Sequence, residues 1–345
     1  MSTTTPNTTP TTTPNTTPNT TPNTPPTAMP STPEPQPDQV QAQDQDPDHD
    51  ALLVSAQWLQ ARLQQASALQ PGLPVLRILD CSTYMTPQPV GPSKISSGRA
   101  DYLAGHIPGA LHVDMAQDLS DPSGAYPYTL LSVAAFDALM QRLGIGRDDH
   151  VVVYGRSAMV TVTRAWFVLH AMGHARVSVL DGGFAAWQAL GGPLSQTAPQ
   201  PVRSVYRAQP LRERVASLAQ VRAALHQPQV CLANALSRAQ FEGSGGAHYG
   251  RPGRLPGSVS LPAAELLVPD SGLFRPLDSL RADYAAAGAL QADEVITYCG
   301  GGIAATATAF TLQRLGQTRW SVYDNSLLEW STLDDTPMVQ GPASS

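Results

Sequence analysis

The residues with the clearest capacity for chemistry are Cys299-Gly-Gly-Gly-Ile-Ala304, which follow the apolar run Val295-Ile-Thr-Tyr298. A buried strand that feeds a run of glycines lets the backbone curl, so that successive N–H groups converge on one point. A helix expected from about residue 303 adds the positive end of its dipole, which favours an anionic sulfur. Such a nest also holds an anionic substrate group without any charged side chain. Cys299 is therefore the candidate nucleophile, and Gly300, Gly301, Gly302, Ile303 and Ala304 form the candidate active-site loop. Cys81 and Cys231 lie in or beside expected strands with no glycine loop and are read as packing residues. The eight histidines show no metal-ligand spacing with the cysteines, so neither a metal nor another cofactor is expected.

The elements that must position this cysteine recur along the chain. Val75-Leu-Arg-Ile-Leu-Asp80, Val151-Val-Val-Tyr154 and Val177-Ser-Val-Leu180 are short apolar runs of the kind that buried parallel strands show. Helical spacing marks residues 51–63, 132–143, 162–172 and 184–190. Strands alternating with helices predict an α/β fold in which a parallel sheet carries helices on both faces. The order then repeats. Val151-Val-Val-Tyr-Gly155 aligns with Val295-Ile-Thr-Tyr-Cys299, and Gly173-His-Ala-Arg-Val-Ser-Val-Leu-Asp181 with Gly316-Gln-Thr-Arg-Trp-Ser-Val-Tyr-Asp324. Pro108-Gly109 matches Pro256-Gly257, Asp80 matches Asn234, and Trp187 matches Trp330. Near-constant offsets in the same order point to a duplicated domain. At equivalent places one half has Gly155 and the other Cys299, which makes the second half the reactive one.

Residues 1–50 form a Thr/Pro/Asn-rich acidic tail expected to stay disordered. Residues 51–195 are the first, non-catalytic domain; 196–212, where prolines cluster, a linker; and 213–340 the catalytic domain. The tail holds six acids and no Lys or Arg, which leaves 21 acids against 21 bases in the rest. A neutral body offers no basic face, so no nucleic-acid partner is expected. No apolar run reaches the roughly 18 residues of a membrane span. The first residues have neither a basic start nor an apolar stretch, so the chain is read as cytoplasmic.

Three motifs together, Arg99-Ala-Asp-Tyr-Leu-Ala-Gly-His-Ile-Pro-Gly-Ala110, Leu180-Asp-Gly-Gly-Phe-Ala-Ala-Trp187 and Tyr298-Cys-Gly-Gly-Gly-Ile303, resemble the tandem-domain rhodanese sulfurtransferases. The resemblance covers about residues 51–335. It implies two rhodanese-like domains with the active site at their interface. It further implies that Cys299 takes a sulfur atom, as a persulfide, from a small anionic donor, 3-mercaptopyruvate or thiosulfate. The sulfur then passes to cyanide or a thiol, a thioredoxin-like protein among them. Thiosulfate-type members resemble one another in having Arg and Lys after the cysteine, where this chain has Gly300 and Gly301. Where the family's second domain reads Asp-Ser-Arg, this chain reads Asn234-Ala-Leu236, so the arginine that would bind the donor's anionic group is missing. Arg238, Arg251 and Arg254 are the nearby candidates to replace it, or are surface arginines. His106 either helps protonate a leaving group or holds its turn through the backbone; Asp80 and Asp181 are read as structural.

Two other classes compete. A cysteine phosphatase needs an arginine six residues after its cysteine; that residue is Ala305, which argues against it. A degenerate rhodanese-like protein, acting as a persulfide carrier or interaction module, would fit the drift at Leu236 and Arg254 but has no need of Cys299.

Overall fold

The computed structural model describes residues 52–66 and 75–342; the expected tail of residues 1–50 lies outside them. The first half runs β1 (Leu53–Val54), α1 (Ala56–Ala66), β2 (Leu76–Asp80), a hairpin of β3 (Thr83–Thr86) and β4 (Lys94–Ser97), α2 (Arg99–Ala104), β5 (Ala110–His112), α3 (Val133–Arg142), β6 (His150–Tyr154), α4 (Met159–Ala171), β7 (Val177–Leu180) and α5 (Gly183–Ala189). Its main sheet has the order β1-β7-β6-β2-β5, and every pairing in it is parallel. Alternation along β6 divides the core between the two faces. Val152 and Tyr154 pack with Leu59, Phe184 and Trp187 from α1 and α5, whereas Val151 and Val153 join Phe136 and Trp166 from α3 and α4.

The second half repeats the plan with β8 (Val215–Ala216), α6 (Leu218–Ala224), β9 (Val230–Asn234), α7 (Arg238–Glu242), β10 (Val259–Ser260), α8 (Leu277–Ala286), β11 (Glu294–Tyr298), α9 (Ala305–Arg314), β12 (Trp320–Tyr323) and α10 (Ser326–Trp330). Its sheet, β8-β12-β11-β9-β10, has the order of the first, strand for strand. The match extends to single bonds. Cys81 N donates to Tyr154 O at 2.8 Å as Ala235 N does to Tyr298 O at 2.9 Å. The Trp187 and Trp330 indoles donate to Pro193 O and Pro337 O at 2.9 and 3.0 Å. Among the described residues, the β3–β4 hairpin has no counterpart in the second half.

One expected element changes. Residues 51–63 read as a helix, but Leu53 and Val54 pair with Val179 and Leu180 at the sheet edge, and the helix starts at Ala56. Three consecutive apolar residues satisfy either period; an open strand edge beside β7 decides between them. Ser55 Oγ then accepts the Trp58 N–H at 3.1 Å, as an N-cap does.

The halves meet through α4 and α9. The ring of Trp166 lies edge-on to Phe310, and Trp166, His170 and Trp320 pack against one another with centroids 5.1–5.8 Å apart, so one apolar core runs through both domains. Residues 196–211 contain no helix or strand, yet they are bound to the first domain. Tyr206 is buried against Phe136 and His174, and Leu211 N donates to Ala171 O at 2.8 Å. Among the described residues no helix is long and apolar enough to cross a membrane.

Burial pushes the imidazoles of His170 and His174 down to about 4. An unfolded chain protonates these rings below about pH 6.5, whereas the folded one resists until about pH 4. Their stabilisation is therefore complete above the unfolded value and is lost as pH falls from about 6.5 to about 4, by up to about 3 kcal/mol each. Thermal unfolding followed across that window should show the slope, and His170→Phe, which keeps the ring stack, should flatten it. An unchanged slope in the variant would remove His170 from this account.

Candidate active site

Cys299 stands where β11, between β9 and β12 in the sheet, ends. Tyr298, directly before it, is buried, and its hydroxyl accepts Leu255 N at 3.1 Å and donates to Ser258 Oγ at 2.7 Å. These bonds anchor the segment 253–258 beneath the strand end. Cys299 itself is 2% exposed. Its carbonyl accepts Leu327 N at 3.2 Å, and Gly300 O accepts Leu328 N at 2.8 Å. The N–H groups of Gly300, Gly301, Gly302, Ile303 and Ala304 find no acceptor among the described residues, and α9 begins at Ala305, two residues later than expected. Five successive unpaired amides ahead of a helix N-terminus form a site for negative charge.

Two of the glycines are required by close approach. A Cβ on Gly300 would fall 1.9 Å from Cζ of Tyr249, whose ring therefore lies over the loop. Gly302 has φ +78°, and a Cβ there would come within 2.1 Å of Asp324 O. Burial and the neighbouring Cys299 push the Tyr249 phenol up to about 12, so it stays a neutral hydroxyl over the working pH range.

Ser326 fixes the backbone of Cys299. Its Oγ accepts Cys299 N at 3.0 Å and donates to Tyr323 O at 2.7 Å, while its own φ is +48°. A non-glycine residue held in the left-handed region and fully buried is strained, and persists only where its surroundings enforce it. In the first domain the same place is held by Gly183, with φ +56°. Ser326→Ala, which keeps the strain and removes both bonds, should destabilise the fold by about 1–3 kcal/mol. It should also slow alkylation of the Cys299 thiol by iodoacetamide, and an unchanged alkylation rate would limit the serine to stability. That serine could have been found in the sequence as the non-glycine residue at a repeated glycine position.

Arg164, which no motif marks, also bears on the loop. It is fully buried on α4 and crosses to the second domain, where Nη1 lies 2.5 Å from Asp324 Oδ1 and 3.3 Å from Gly302 O. Nη2 donates to Tyr128 O at 2.6 Å, and Leu130 N donates to Asp324 Oδ2 at 2.8 Å. The first domain thus holds the back of the loop. Its signal was a charge inside the apolar run Val162-Thr-Arg-Ala-Trp-Phe-Val168.

A cleft of about 230 Å³ lies beside this loop, lined by Leu236, Gln240, Tyr249, Leu327 and the glycine-rich segment 243–253. Its inner wall touches the loop through Tyr249, over Gly300, and Leu327, bonded to Cys299 O. The first domain reaches its rim, where Gly91 N donates to His248 O at 2.7 Å.

The structure puts the remaining candidates elsewhere. Arg238 is exposed and pairs through Nε and Nη2 with both oxygens of Glu265, at 2.9 and 2.7 Å. Arg254 is buried, and its guanidinium donates to the carbonyls of Phe241, Gly341 and Pro342. His106 holds the equivalent position in the first domain: it is buried, with Nδ1 on Tyr102 O at 2.8 Å. Both residues pair their backbones with the chain that leaves their domain, His106 with Ser195 and Arg254 with Val339. None of the three lines the cleft, and the turn-holding role of His106 is the one its bonds fit. Arg251 does line the cleft, but its Nε and Nη2 are directed to Trp330 O, Ser331 O, Leu333 O and Thr336 Oγ1. Asp80 Oδ1 accepts Ser82 N at 2.9 Å as expected of a loop cap, whereas Asp181 Oδ1 accepts Phe274 N from the other domain.

The corresponding place in the first domain is filled. After Gly155, Arg156 folds back over the Phe184 ring, 3.4 Å from its centroid, and reaches Gly105 O. Among the described residues, no group of three or more His, Cys, Asp and Glu could hold a metal ion.

The rhodanese-like domain family matches this chain twice, at residues 55–190 and 218–333. The chain belongs to that family, in its tandem-domain form. The relatives it is similar to are sulfurtransferases, and it takes its place among them. The 3-mercaptopyruvate sulfurtransferase of Homo sapiens is 29% identical over 282 residues, covering 81% of this chain and 91% of its own length. The thiosulfate sulfurtransferase of Corynebacterium glutamicum is 32% identical over 312 residues, covering 85% and 92%. The crystal structure of SseA from Escherichia coli, a 3-mercaptopyruvate sulfotransferase, is similar at a TM-score of 0.66 and 26% identity over 80% of this chain and 98% of its own. The anaerobic ergothioneine biosynthesis enzyme of Chlorobium limicola shares the fold, with a TM-score of 0.70 at 20% identity over 84% and 70%.

Proposed function

We propose that this protein moves sulfane sulfur through a persulfide on Cys299. The observation that carries the reading is a buried cysteine at the end of a central strand, followed by five backbone N–H groups with no acceptor among the described residues. The thiolate attacks the outer sulfur of a small donor, and the donor's bond to that sulfur breaks with its electron pair leaving on the remainder. The amides stabilise the anionic terminal sulfur and the charge that develops on the donor. Cyanide or a thiol, including that of a thioredoxin-like protein, then removes the terminal sulfur and restores the thiolate. Thiosulfate and 3-mercaptopyruvate, named for the relatives, are the first donors to offer. The site lies at the domain interface, with the first domain in a supporting role, and the cytoplasm is the compartment that suits a reactive free thiol.

Intact mass tests the reading. After incubation with thiosulfate, 3-mercaptopyruvate or inorganic polysulfide, the protein should gain one sulfur atom that cyanide removes. Steady-state kinetics should be ping-pong. No gain from any of the three would overturn the enzyme in favour of an interaction module on the same scaffold.

A further inference from the structure

The cleft stops short of Cys299. None of residues 299–304 lines it, and Cys299 is 2% exposed, so a molecule in the cleft has no open path to the sulfur. Two of its lining residues touch the loop: Leu327, which donates its N–H to Cys299 O, and Tyr249, whose ring a Cβ on Gly300 would overlap. They are held differently. Leu327 and Leu328 on α10 bond their N–H groups to the carbonyls of Cys299 and Gly300, so that wall cannot retreat without the loop. Tyr249 stands on residues 244–250, which belong to no helix and, among the described residues, join a β-bridge only where His248 meets Val90. Residues 244–246 are exposed, and Gly243 (φ +71°) and Gly250 (φ +142°) flank the stretch in backbone conformations that favour glycine. Beyond Gly250, Arg251 ties the chain to the carbonyls of Trp330, Ser331 and Leu333, which fixes one end of the segment. Between the ends, Gln240 Nε2 donates to Ala247 O at 2.8 Å, Gly91 N to His248 O at 2.7 Å and Ser331 Oγ to Tyr249 O at 2.9 Å. A segment held by single bonds at the surface opens at low cost compared with the strands and helices around it. The Gly91 bond comes from the turn between β3 and β4, the hairpin that the second half lacks.

We propose that residues 244–250 are a gate: Tyr249 closes the passage from the cleft to Cys299, and the β3–β4 turn of the first domain latches it through Val90 and Gly91. The inference rests on the sulfurtransferase reading for the purpose of the gate. With the segment lifted, donor and acceptor reach the sulfur in turn; with it closed, the ring keeps water and unrelated thiols away from a persulfide. The first domain, which has Gly155 where the second has Cys299, then governs access to a sulfur it does not itself carry. That gives a role to the hairpin the duplication does not share.

A reversible lock tests the gate. Val90 and His248 are bridge partners, and backbones paired in that way run about 4.8 Å apart, within reach of a disulfide. In Val90→Cys with His248→Cys, once oxidised, iodoacetamide should alkylate Cys299 at least about tenfold more slowly than in wild type, read by peptide mass, and reduction should restore the rate. Tyr249→Ala should raise the rate about tenfold, compared at high pH where Cys299 is fully ionised, so that a changed thiolate fraction does not enter. An oxidised lock that is alkylated as fast as wild type overturns the gate, because the sulfur is then reached by another way. Tyr249→Ala at the wild-type rate overturns it as well, and decides alone if the engineered disulfide does not form. Alkylation needs no sulfur donor, so the two readings fail separately. Wild type that polysulfide does not load overturns the sulfurtransferase reading, while the alkylation rates still decide whether the segment opens.

Discussion

Cys299→Ser is expected to take up no sulfur from any donor and to lose turnover by at least about a thousandfold. A serine hydroxyl fits the same loop, so the fold should survive, but it cannot form a persulfide. The matched controls are Cys81→Ser and Cys231→Ser, which should retain activity within about twofold. Burial, reinforced by the charge of Asp80, pushes the Cys81 thiol well above its ordinary value, and burial pushes Cys231 up to about 11. Both stay protonated at neutral pH, and a thiol is a poor nucleophile beside a thiolate. Mass spectrometry after donor treatment separates the three variants directly. A sulfur gain that persists in Cys299→Ser would transfer the role to one of the other two cysteines.

Arg164→Met should reduce stability by about 3–5 kcal/mol, because it leaves the buried Asp324 carboxylate without its partner. Asp324 is 8% exposed and Arg164 is fully buried, so water cannot replace the lost contacts. The effect should reach catalysis as well, since Arg164 also bonds Gly302 O, and Asp324 O lies against Gly302. Removing both charges, as Arg164→Met with Asp324→Leu, should recover about half or more of the stability while leaving sulfur transfer impaired. Urea unfolding of the four proteins gives the cycle. A loss below about 1 kcal/mol in the single variant would mean that the pair is solvated and does not join the domains.

Much of the architecture was legible in order along the chain. The runs at 151–154 and 295–298 became β6 and β11, the central strands of two sheets with the same strand order. Period and repetition are local properties, so a single sequence carries them. The edge strand at Leu53–Val54 was not legible, because two apolar residues have no period of their own and the choice belongs to the neighbouring β7.

The site divides in the same way. Cys299 and its glycines are contiguous, so a strand that ends in Cys-Gly-Gly-Gly is enough to mark a candidate sulfur nucleophile. The arginines were another matter. Arg238, Arg251 and Arg254 are within twenty residues of Leu236 and carry the same charge in the sequence, but the structure pairs Arg238 with Glu265 and directs the other two to the carbonyls at the end of α10 and of the last described residues. Tyr249, Ser326 and Arg164 reach the loop from three distant segments, and only the packing of α4 on α9 and the path of residues 243–253 bring them there. The sequence alone determined the duplicated sheets and singled out Cys299 as the candidate nucleophile. Tertiary structure decided what surrounds the nucleophile, because whether a charged side chain is available depends on partners remote in the chain.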